Sequence, residues 1–284
     1  MREVGAVEAP RGTVLQDEQR QRPSPALGAV PPFERLEGEK SGVGRERRAG
    51  DHEWFIPLRT VTGTPCQGLT HHGPVRLEAI TWDRLGDLLA ERLLDLKPAD
   101  GSPWPRIAFD GAPAARPGDL ARRVSEALRI RGRSSLVVGT EGFLRPASVR
   151  LEYGHRDVES YYSGWYDTGA LWREVFGPLE AGGDGSVLPD LWDPAADRAT
   201  RSPKVRLPPG GMLLLHGPFL LRHWFPLDLS VHVALSPGAL RRRTPEAEHW
   251  TLPAFERYER ESDPAGAADV LVRADDPRHP AWGG

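Results

Sequence analysis

One apolar segment, followed by a loop and then an amphipathic helix, restricts the fold of this chain more than any other feature. Residues 106–109 predict a short buried strand that runs into Asp110 and Gly111. Beyond the loop, apolar residues three and four apart predict a helix with Asp119 as its N-cap. These apolar residues are Leu120, Ala121, Val124, Ala127 and Leu128. A strand, a loop and a helix in this order form the first half of a βαβ unit, which favours a parallel sheet.

Helices and buried strands continue to alternate along the chain. Thr81 is the predicted N-cap of a helix whose apolar positions extend from Trp82 to Leu96. Further strands are predicted at 135–138, 212–215 and 229–235, and further helices near 168–176, 237–243 and 253–261. This alternation predicts an α/β fold with a mainly parallel sheet and helices on both faces. Ligands of such sheets bind beyond the carboxyl ends of the strands.

The first part of the chain lacks this periodicity. Residues 1 to about 52 mix Arg, Glu, Gly and Pro with few clustered apolar residues, which predicts disorder. Residues 54–73 favour a linker, with a short structured stub as the alternative. We therefore expect one domain over 75–282, behind a disordered or weakly structured extension over 1–74. A true start of the protein near Val75 is a second interpretation.

Composition excludes several classes of protein. The formal net charge is −3 with both signs interspersed, so no basic stripe favours nucleic acid or an anionic membrane. The single cysteine, Cys66, excludes an intrachain disulfide framework and a multi-cysteine metal site. No apolar run approaches the roughly 20 residues of a membrane span, and the N-terminus does not resemble a signal peptide. These features predict a cytoplasmic protein without a metal cluster.

The loop after the first buried strand stands where a phosphate loop stands. A working loop has the form GxxxxGK followed by Ser or Thr, because amides hold phosphate, the lysine reaches the outer phosphates and the hydroxyl holds magnesium. When Gly111 is aligned with the first glycine, Arg116 stands at the position of the second glycine, Pro117 at that of the lysine and Gly118 at that of the Ser or Thr. The predicted phosphate-binding residues of this degenerate Walker A loop are Gly111, Ala112, Pro113, Ala114, Ala115, Arg116, Pro117, Gly118 and Asp119.

Two interpretations of the loop remain open. In one, Arg116 supplies charge in place of the lysine, and Gly118 leaves room for close approach of the backbone. In the other, the loop is only a turn between strand and helix, capped by Asp119. Pro117 lacks an N–H, and Asp119 puts a negative charge where phosphate would bind, so both residues favour the second interpretation.

Short segments in a fixed order follow the loop. The segment from Thr140 to Pro146 reads TEGFLRP, and later segments read SYYSGWYD from Ser160, LLLHGPFLL from Leu213 and DDPRHP from Asp275. Smaller matches are Val149-Arg150, Tyr153-Gly154, Ala170 to Arg173, Leu191-Trp192-Asp193, Arg257-Tyr258, Asp263-Pro264 and Ala268-Asp269. In order and spacing these segments resemble uridine kinase-like proteins of actinobacteria. The resemblance covers about Val75 to Trp282.

This resemblance implies a P-loop NTPase three-layer sandwich and a kinase activity. The implied reaction transfers the terminal phosphate of ATP or GTP, with Mg²⁺, to the 5′ hydroxyl of uridine, cytidine or a related small molecule. Glu141 stands where the family has the acid that acts on the acceptor hydroxyl. Arg241, Arg242 and Arg243 stand where the family has lid arginines, which makes them catalytic candidates. The implied substrate-binding residues are Arg145, Tyr153, Arg257 and Tyr258.

Each of these candidates has a second interpretation. Glu141 is also consistent with a solvated loop acid, and the arginine run with a solvated helix end. His216 stands where the family has a carboxylate. Its imidazole nitrogen is not the oxygen ligand that magnesium prefers. The aromatic residues Tyr161, Tyr162, Trp165 and Tyr166 suit a core as well as a base-stacking surface. The alternative to a kinase is therefore a catalytically inactive relative that binds a nucleotide, a nucleoside or a protein partner.

Overall fold

The computed structural model describes residues 76–284, and the expectations for 1–74 lie outside the described residues. Its helices are α1 (Trp82–Leu94), α2 (Pro117–Ile130), α3 (Ala147–Arg150), α4 (Val158–Ser163), α5 (Thr168–Leu171), α6 (Pro237–Arg243), α7 (Leu252–Ser262) and α8 (Pro264–Ala267). Its strands are β1 (Glu78–Ala79), β2 (Arg106–Asp110), β3 (Ser135–Gly139), β4 (Ser186–Val187), β5 (Trp192–Asp193), β6 (Arg198–Ala199), β7 (Val205–Arg206), β8 (Met212–Gly217), β9 (Leu229–Ala234), β10 (Val270–Arg273) and β11 (Ala281–Gly283). None of the helices in this part of the chain is long and apolar enough to cross a membrane.

The main sheet has seven strands in the order β1-β11-β10-β9-β2-β8-β3. Strands β10, β9, β2, β8 and β3 are parallel, and β11 is antiparallel to both of its neighbours. Strand β2 is therefore the middle one of the five parallel strands, and its last residue, Asp110, is in register with Gly217 of β8 and His232 of β9. The short strands form two separate pairs, β4 with β7 and β5 with β6.

Helices cover both faces of the sheet, because successive side chains of each strand point to opposite faces. On one face Phe109, Leu214 and Val231 pack in one cluster with apolar residues of α1 and α2. On the other face the cores are split: Ala108 and Leu215 pack in a cluster with residues of α5, and residues of α4 and α7 form a third cluster. This arrangement confirms the predicted α/β architecture of three layers.

Most of the predicted elements are present at the predicted places. Thr81 caps α1 by accepting a hydrogen bond from the Arg84 amide at 3.3 Å. The prediction that Asp119 caps α2 is wrong, because the helix begins at Pro117 and its N-cap is Arg116. A proline suits the first helical position, since that residue's N–H would have no partner inside the helix. Asp119 instead lies in the first turn. The helix predicted at 168–176 is α5 followed by a π-helical segment at Trp172–Phe176.

Candidate functional site

The loop from Gly111 to Asp119 leaves β2, the middle one of the five parallel strands. Gly111 has a φ of 155°, and a Cβ at this position would lie 2.7 Å from the carbonyl oxygen of Val233. Its amide donates to the Gly217 carbonyl at 3.1 Å. The first glycine of the loop is therefore required by close contact with the neighbouring strands, and its N–H is used within the protein.

Three of the other six amides of the loop are also used within it. The amides of Ala115 and Arg116 donate to the carbonyls of Ala112 and Pro113 at 2.8 and 3.0 Å. The Asp119 amide donates to the Arg116 carbonyl at 3.0 Å. Pro113 and Pro117 have no N–H. Within the loop this leaves only the amides of Ala112, Ala114 and Gly118 for an anion.

Arg116 occupies the place of the second glycine with a glycine-like backbone. Its φ and ψ are 58° and 50°, a left-handed conformation that side chains with a Cβ disfavour. Its guanidinium is mostly exposed and forms an ion pair with Asp119, which also pairs with Arg122. The charge that would replace the missing lysine is thus directed to an acid in its own helix.

The histidine of β8 lies against the position of the magnesium-binding hydroxyl. A Cβ added to Gly118 would lie 2.8 Å from Cε1 of His216, so the ring occupies the space that a serine or threonine side chain needs. Burial lowers the pKa of His216 despite the nearby charge of Glu141. A neutral imidazole is a poor substitute for the oxygen ligands that magnesium prefers. Residues 76–284 also contain no group of three or more His, Cys, Asp or Glu side chains arranged to hold a metal ion. The residues present therefore do not fit a magnesium–triphosphate group.

A pocket of about 420 Å³ lies beside the loop, and we call it the loop pocket. It is lined by Ala112, Pro113, Ala114, Arg116, Tyr161, Arg243, Thr244, Pro245, Glu248, Thr251 and Phe255. Two of these residues, Arg116 and Arg243, are cationic, and Glu248 is anionic. The loop pocket has the charge to attract one weakly held anion but lacks a cradle of amides.

The predicted lid arginines separate from one another at the end of α6. Arg243 lines the loop pocket and donates a hydrogen bond from Nη2 to the Asp275 carbonyl at 2.7 Å. Arg241 lines a different pocket, and Arg242 is exposed and lines neither. The structure thus brings one of the three side chains to the loop.

Glu141 follows β3 in a short 3₁₀ helix, Thr140–Phe143. Its Oε1 lies 3.8 Å from Nε2 of His216, and its side chain is 65% exposed. The predicted base therefore reaches the neighbourhood of Gly118 through His216, on the solvent side of the site.

The four predicted substrate residues lie in two places. Arg145 and Tyr153 line a surface depression of about 380 Å³ together with residues of α4. Arg257 pairs with Glu261 within α7, joins α7 to α4 through an ion pair with Glu159, and lies over the ring of Tyr162. Tyr258 is buried, and its hydroxyl accepts a hydrogen bond from the Leu221 amide at 3.1 Å. Arg257 and Tyr258 thus make contacts within the fold.

Sequence reasoning missed a buried polar group on the sheet. Asp110 is fully buried; its Oδ1 accepts from the Leu220 amide at 2.8 Å, and its Oδ2 lies 2.6 Å from Nδ1 of His232. Burial alone would lower the pKa of His232, but the bond to Asp110 and the nearby carboxylate of Glu259 outweigh it and raise that pKa to about 9. The signal in the sequence was an ionisable residue after apolar residues in each of two strands, Asp110 after Ile-Ala-Phe in β2 and His232 between two valines in β9.

A larger pocket of about 890 Å³ opens above this group, and we call it the helix pocket. Its lining includes the end of β9, residues of α6 and α7, and Ala112 of the loop. His232 and Glu259 both line it, as do the apolar side chains of Leu240, Leu252 and Phe255. The helix pocket therefore combines apolar walls with several polar and charged side chains, among them Arg241, Arg260 and Arg273.

Comparison with solved structures identifies the fold. The chain is similar to a possible uridine kinase from Bacillus stearothermophilus, with 22% identity, a TM-score of 0.54, and coverage of 66% of this chain and 96% of that one. It is also similar to the YGR205w protein, with 10% identity, a TM-score of 0.45, and coverage of 68% of this chain and 93% of that one. No protein-family model matches the chain, and no curated protein does. The first similarity shows that this chain shares the α/β fold of that structure, here with a mostly parallel sheet.

Proposed function

We propose that this protein is a nucleoside- or nucleotide-binding relative of the P-loop kinases that does not transfer phosphate. The observation that carries the proposal is the contact between His216 and Gly118, where a Cβ would lie 2.8 Å from the imidazole ring. A side chain that could hold magnesium has no room at this position. The binding part of the proposal is supported by the kinase-like fold and by the pockets beside the loop.

Phosphoryl transfer needs concentrated positive charge around the phosphates. In P-loop enzymes a lysine and a magnesium ion neutralise the charge that develops on the transferred group. Here a proline takes the place of that lysine, and Arg116, the nearest substitute, pairs with Asp119. The chain therefore retains the fold without the groups that stabilise the transition state.

The remaining groups suit reversible binding. Arg116 and Arg243 line the loop pocket and offer charge to a single anion. The amides of Ala112, Ala114 and Gly118 add hydrogen-bond donors. A monophosphate or an uncharged nucleoside needs no more than this, whereas a triphosphate with magnesium does.

The second candidate is the uridine kinase-like phosphotransferase. The observation in its favour is Glu141, a carboxylate that follows β3 and lies 3.8 Å from His216 beside the loop. A carboxylate at this place is suited to take a proton from an acceptor hydroxyl. In this candidate Arg116 would leave Asp119 and contact the phosphates.

Two measurements on the full chain separate these functions. Transfer of labelled phosphate from ATP to uridine and cytidine is measured with and without Mg²⁺, and we expect none. Calorimetry with uridine, cytidine and their 5′-monophosphates, without metal, is expected to detect binding. Magnesium-dependent transfer that is lost in both Glu141→Gln and Arg116→Ala would overturn the proposal in favour of the kinase. Absence of both transfer and binding at millimolar ligand would overturn the binding function as well.

A further inference from the structure

The floor of the helix pocket contains a buried ring nitrogen, Nε2 of His232, without a hydrogen-bond partner in the described part of the chain. The imidazole of His232 is 4% exposed, and its Nε2 has no hydrogen-bond partner within residues 76–284. The other ring nitrogen is fixed at 2.6 Å from Asp110. A buried polar atom without a hydrogen-bond partner is destabilising, so such an atom beside a pocket indicates a ligand.

The surroundings of the ring determine what it offers. Oδ2 of Asp110 lies 2.6 Å from Nδ1 of His232, and a carboxylate accepts hydrogen bonds, so Nδ1 carries a proton toward it. The pKa of His232, raised to about 9, keeps a second proton on Nε2 at neutral pH. His232 therefore presents an N–H donor to the helix pocket.

An acceptor lies directly beside this donor. Oε1 of Glu259 is 3.7 Å from Nε2 of His232, which is too long for a hydrogen bond between them. The Glu259 side chain is 53% exposed, so it sits at the mouth of the pocket rather than in the core. Nε2 of His232 and Oε1 of Glu259 are spaced to contact two adjacent atoms of one ligand. The ligand atom at His232 would be an acceptor, and the ligand atom at Glu259 would be a donor.

The charges around the ring select the ligand further. Asp110 and Glu259 both lie close to His232, so an anionic group at Nε2 would meet two carboxylates. A cation there would meet the imidazolium itself. Both charged classes are therefore disfavoured at Nε2 itself, whereas Arg241, Arg260 and Arg273 also line the pocket. The apolar walls formed by Leu240, Leu252 and Phe255 suit a flat ligand whose group at His232 is uncharged.

We propose that the helix pocket binds a planar molecule through an uncharged amide edge, in which a carbonyl oxygen accepts from His232 and the adjacent N–H donates to Glu259. Lactams and the nucleobases that contain an N–H beside a carbonyl share this edge. The inference deepens the proposed function and rests on it, because the helix pocket is one of the two pockets that support nucleoside binding and uracil has this edge. Calorimetric binding of a 5′-monophosphate without a shift of His232 would overturn this inference and leave the proposed function standing.

The test uses the full chain labelled with ¹⁵N and follows the imidazole nitrogens of His232 by NMR. The probes are uracil and δ-valerolactam, which have the amide edge, and 1,3-dimethyluracil, which retains the carbonyls but has no N–H. We expect a saturable shift of the His232 Nε2 signal with uracil, with valerolactam, or with both, and none with dimethyluracil. A response to uracil alone identifies a nucleobase as the source of the edge, and a response to valerolactam identifies a lactam.

A pair of variants on α7 completes the test. Glu259→Ala removes the acceptor from an exposed position and is expected to weaken binding about tenfold. Glu256→Ala is the matched control, since Glu256 is exposed on the same helix and lines the same pocket. Equal responses to uracil and dimethyluracil, equal affinities of the two variants, or no shift of His232 with any probe at millimolar concentration would each overturn the inference.

Discussion

The phosphate loop and the floor of the helix pocket both lie at the carboxyl end of β2, yet they use their polar groups in opposite ways. In the loop, most amide donors are hydrogen-bonded to backbone carbonyls, and the Arg116 guanidinium forms an ion pair with Asp119. On the pocket floor, Asp110 fixes one side of His232 and leaves the other side without a partner. Four amides of the loop are thus bonded within the protein, and those of Ala112, Ala114 and Gly118 are not, whereas the pocket floor has a buried ring nitrogen without a hydrogen-bond partner among residues 76–284.

This difference shows that two neighbouring regions at one edge of a parallel sheet can differ in the polar groups that they leave available to a ligand. Gly111 and the register of β2 with β8 and β9 preserve the backbone geometry around the loop. The residues that would handle a triphosphate are replaced by Pro117, Gly118 and His216. The fold therefore does not determine the chemistry, which depends on a few side chains grafted on it.

The largest expected effect is a difference in the free energy of unfolding between variants of Asp110, at the pocket floor, and of Asp119, in the loop. Asp110→Ala leaves a charged imidazole buried without its partner, so it should lower the free energy of unfolding by about 3–5 kcal/mol. Asp119→Ala removes only ion pairs with exposed arginines and should cost less than about 1 kcal/mol. Urea denaturation of both variants measures the difference. Similar losses would contradict the contrast between the two regions.

The second effect is a pH dependence that originates at the pocket floor. The pKa of His232 in the folded state, about 9, lies above its ordinary value of 6.5, so folding stabilises the protonated form. The contribution is complete below pH 6.5 and is lost as the pH rises through 9, by up to about 3 kcal/mol. Asp110 on β2 and Glu259 on α7 are the acids that cause it. Denaturation across this range should show the loss in the wild type and not in His232→Gln; an equal loss in both would assign it to other groups.

The third effect concerns the space at Gly118. Gly118→Ser restores the hydroxyl of a working loop but places a Cβ 2.8 Å from the His216 ring, and such overpacking costs about 1–3 kcal/mol. His216→Ala removes the ring and should make the serine tolerable. A double-mutant cycle by thermal or urea unfolding measures this coupling. Additive effects of the two substitutions would mean that the ring does not exclude a side chain here.

The smallest effect reports the backbone of the loop. Arg116→Ala and Arg116→Gly both remove the ion pair with Asp119, but only alanine retains a Cβ in the left-handed conformation. The glycine variant should therefore be more stable than the alanine variant by about 1 kcal/mol. If alanine were the more stable of the two, the loop would not have the glycine-like conformation that Arg116 shows.

The central sheet was predictable because its parallel strands are buried on both faces and therefore read as apolar runs. Residues 212–217 and 229–234 are such runs, and α1 was predicted from its regular apolar spacing and its threonine cap. Strand β10 and helix α4 were not predicted. Helix α4 is only six residues long, and β10 has four, so neither gives a periodic pattern.

The candidate site was predictable in residue type but not in contact. The missing lysine and hydroxyl could be read from the loop, whereas the cap was misassigned because an arginine in a left-handed conformation is not expected from its chemistry. The bond between Asp110 and His232 joins residues 122 positions apart. This bond depends on which strands are neighbours in the sheet, and the strand order cannot be predicted from a local sequence pattern.

The central claim, that this loop does not hold a magnesium–nucleotide, is tested most directly by calorimetry of the full chain with ATP in the presence and absence of Mg²⁺. We predict that Mg²⁺ does not strengthen ATP binding, because Pro117, Gly118 and His216 offer neither the lysine charge nor an oxygen ligand. Binding of ATP that requires Mg²⁺ and is abolished by Arg116→Ala would contradict the claim.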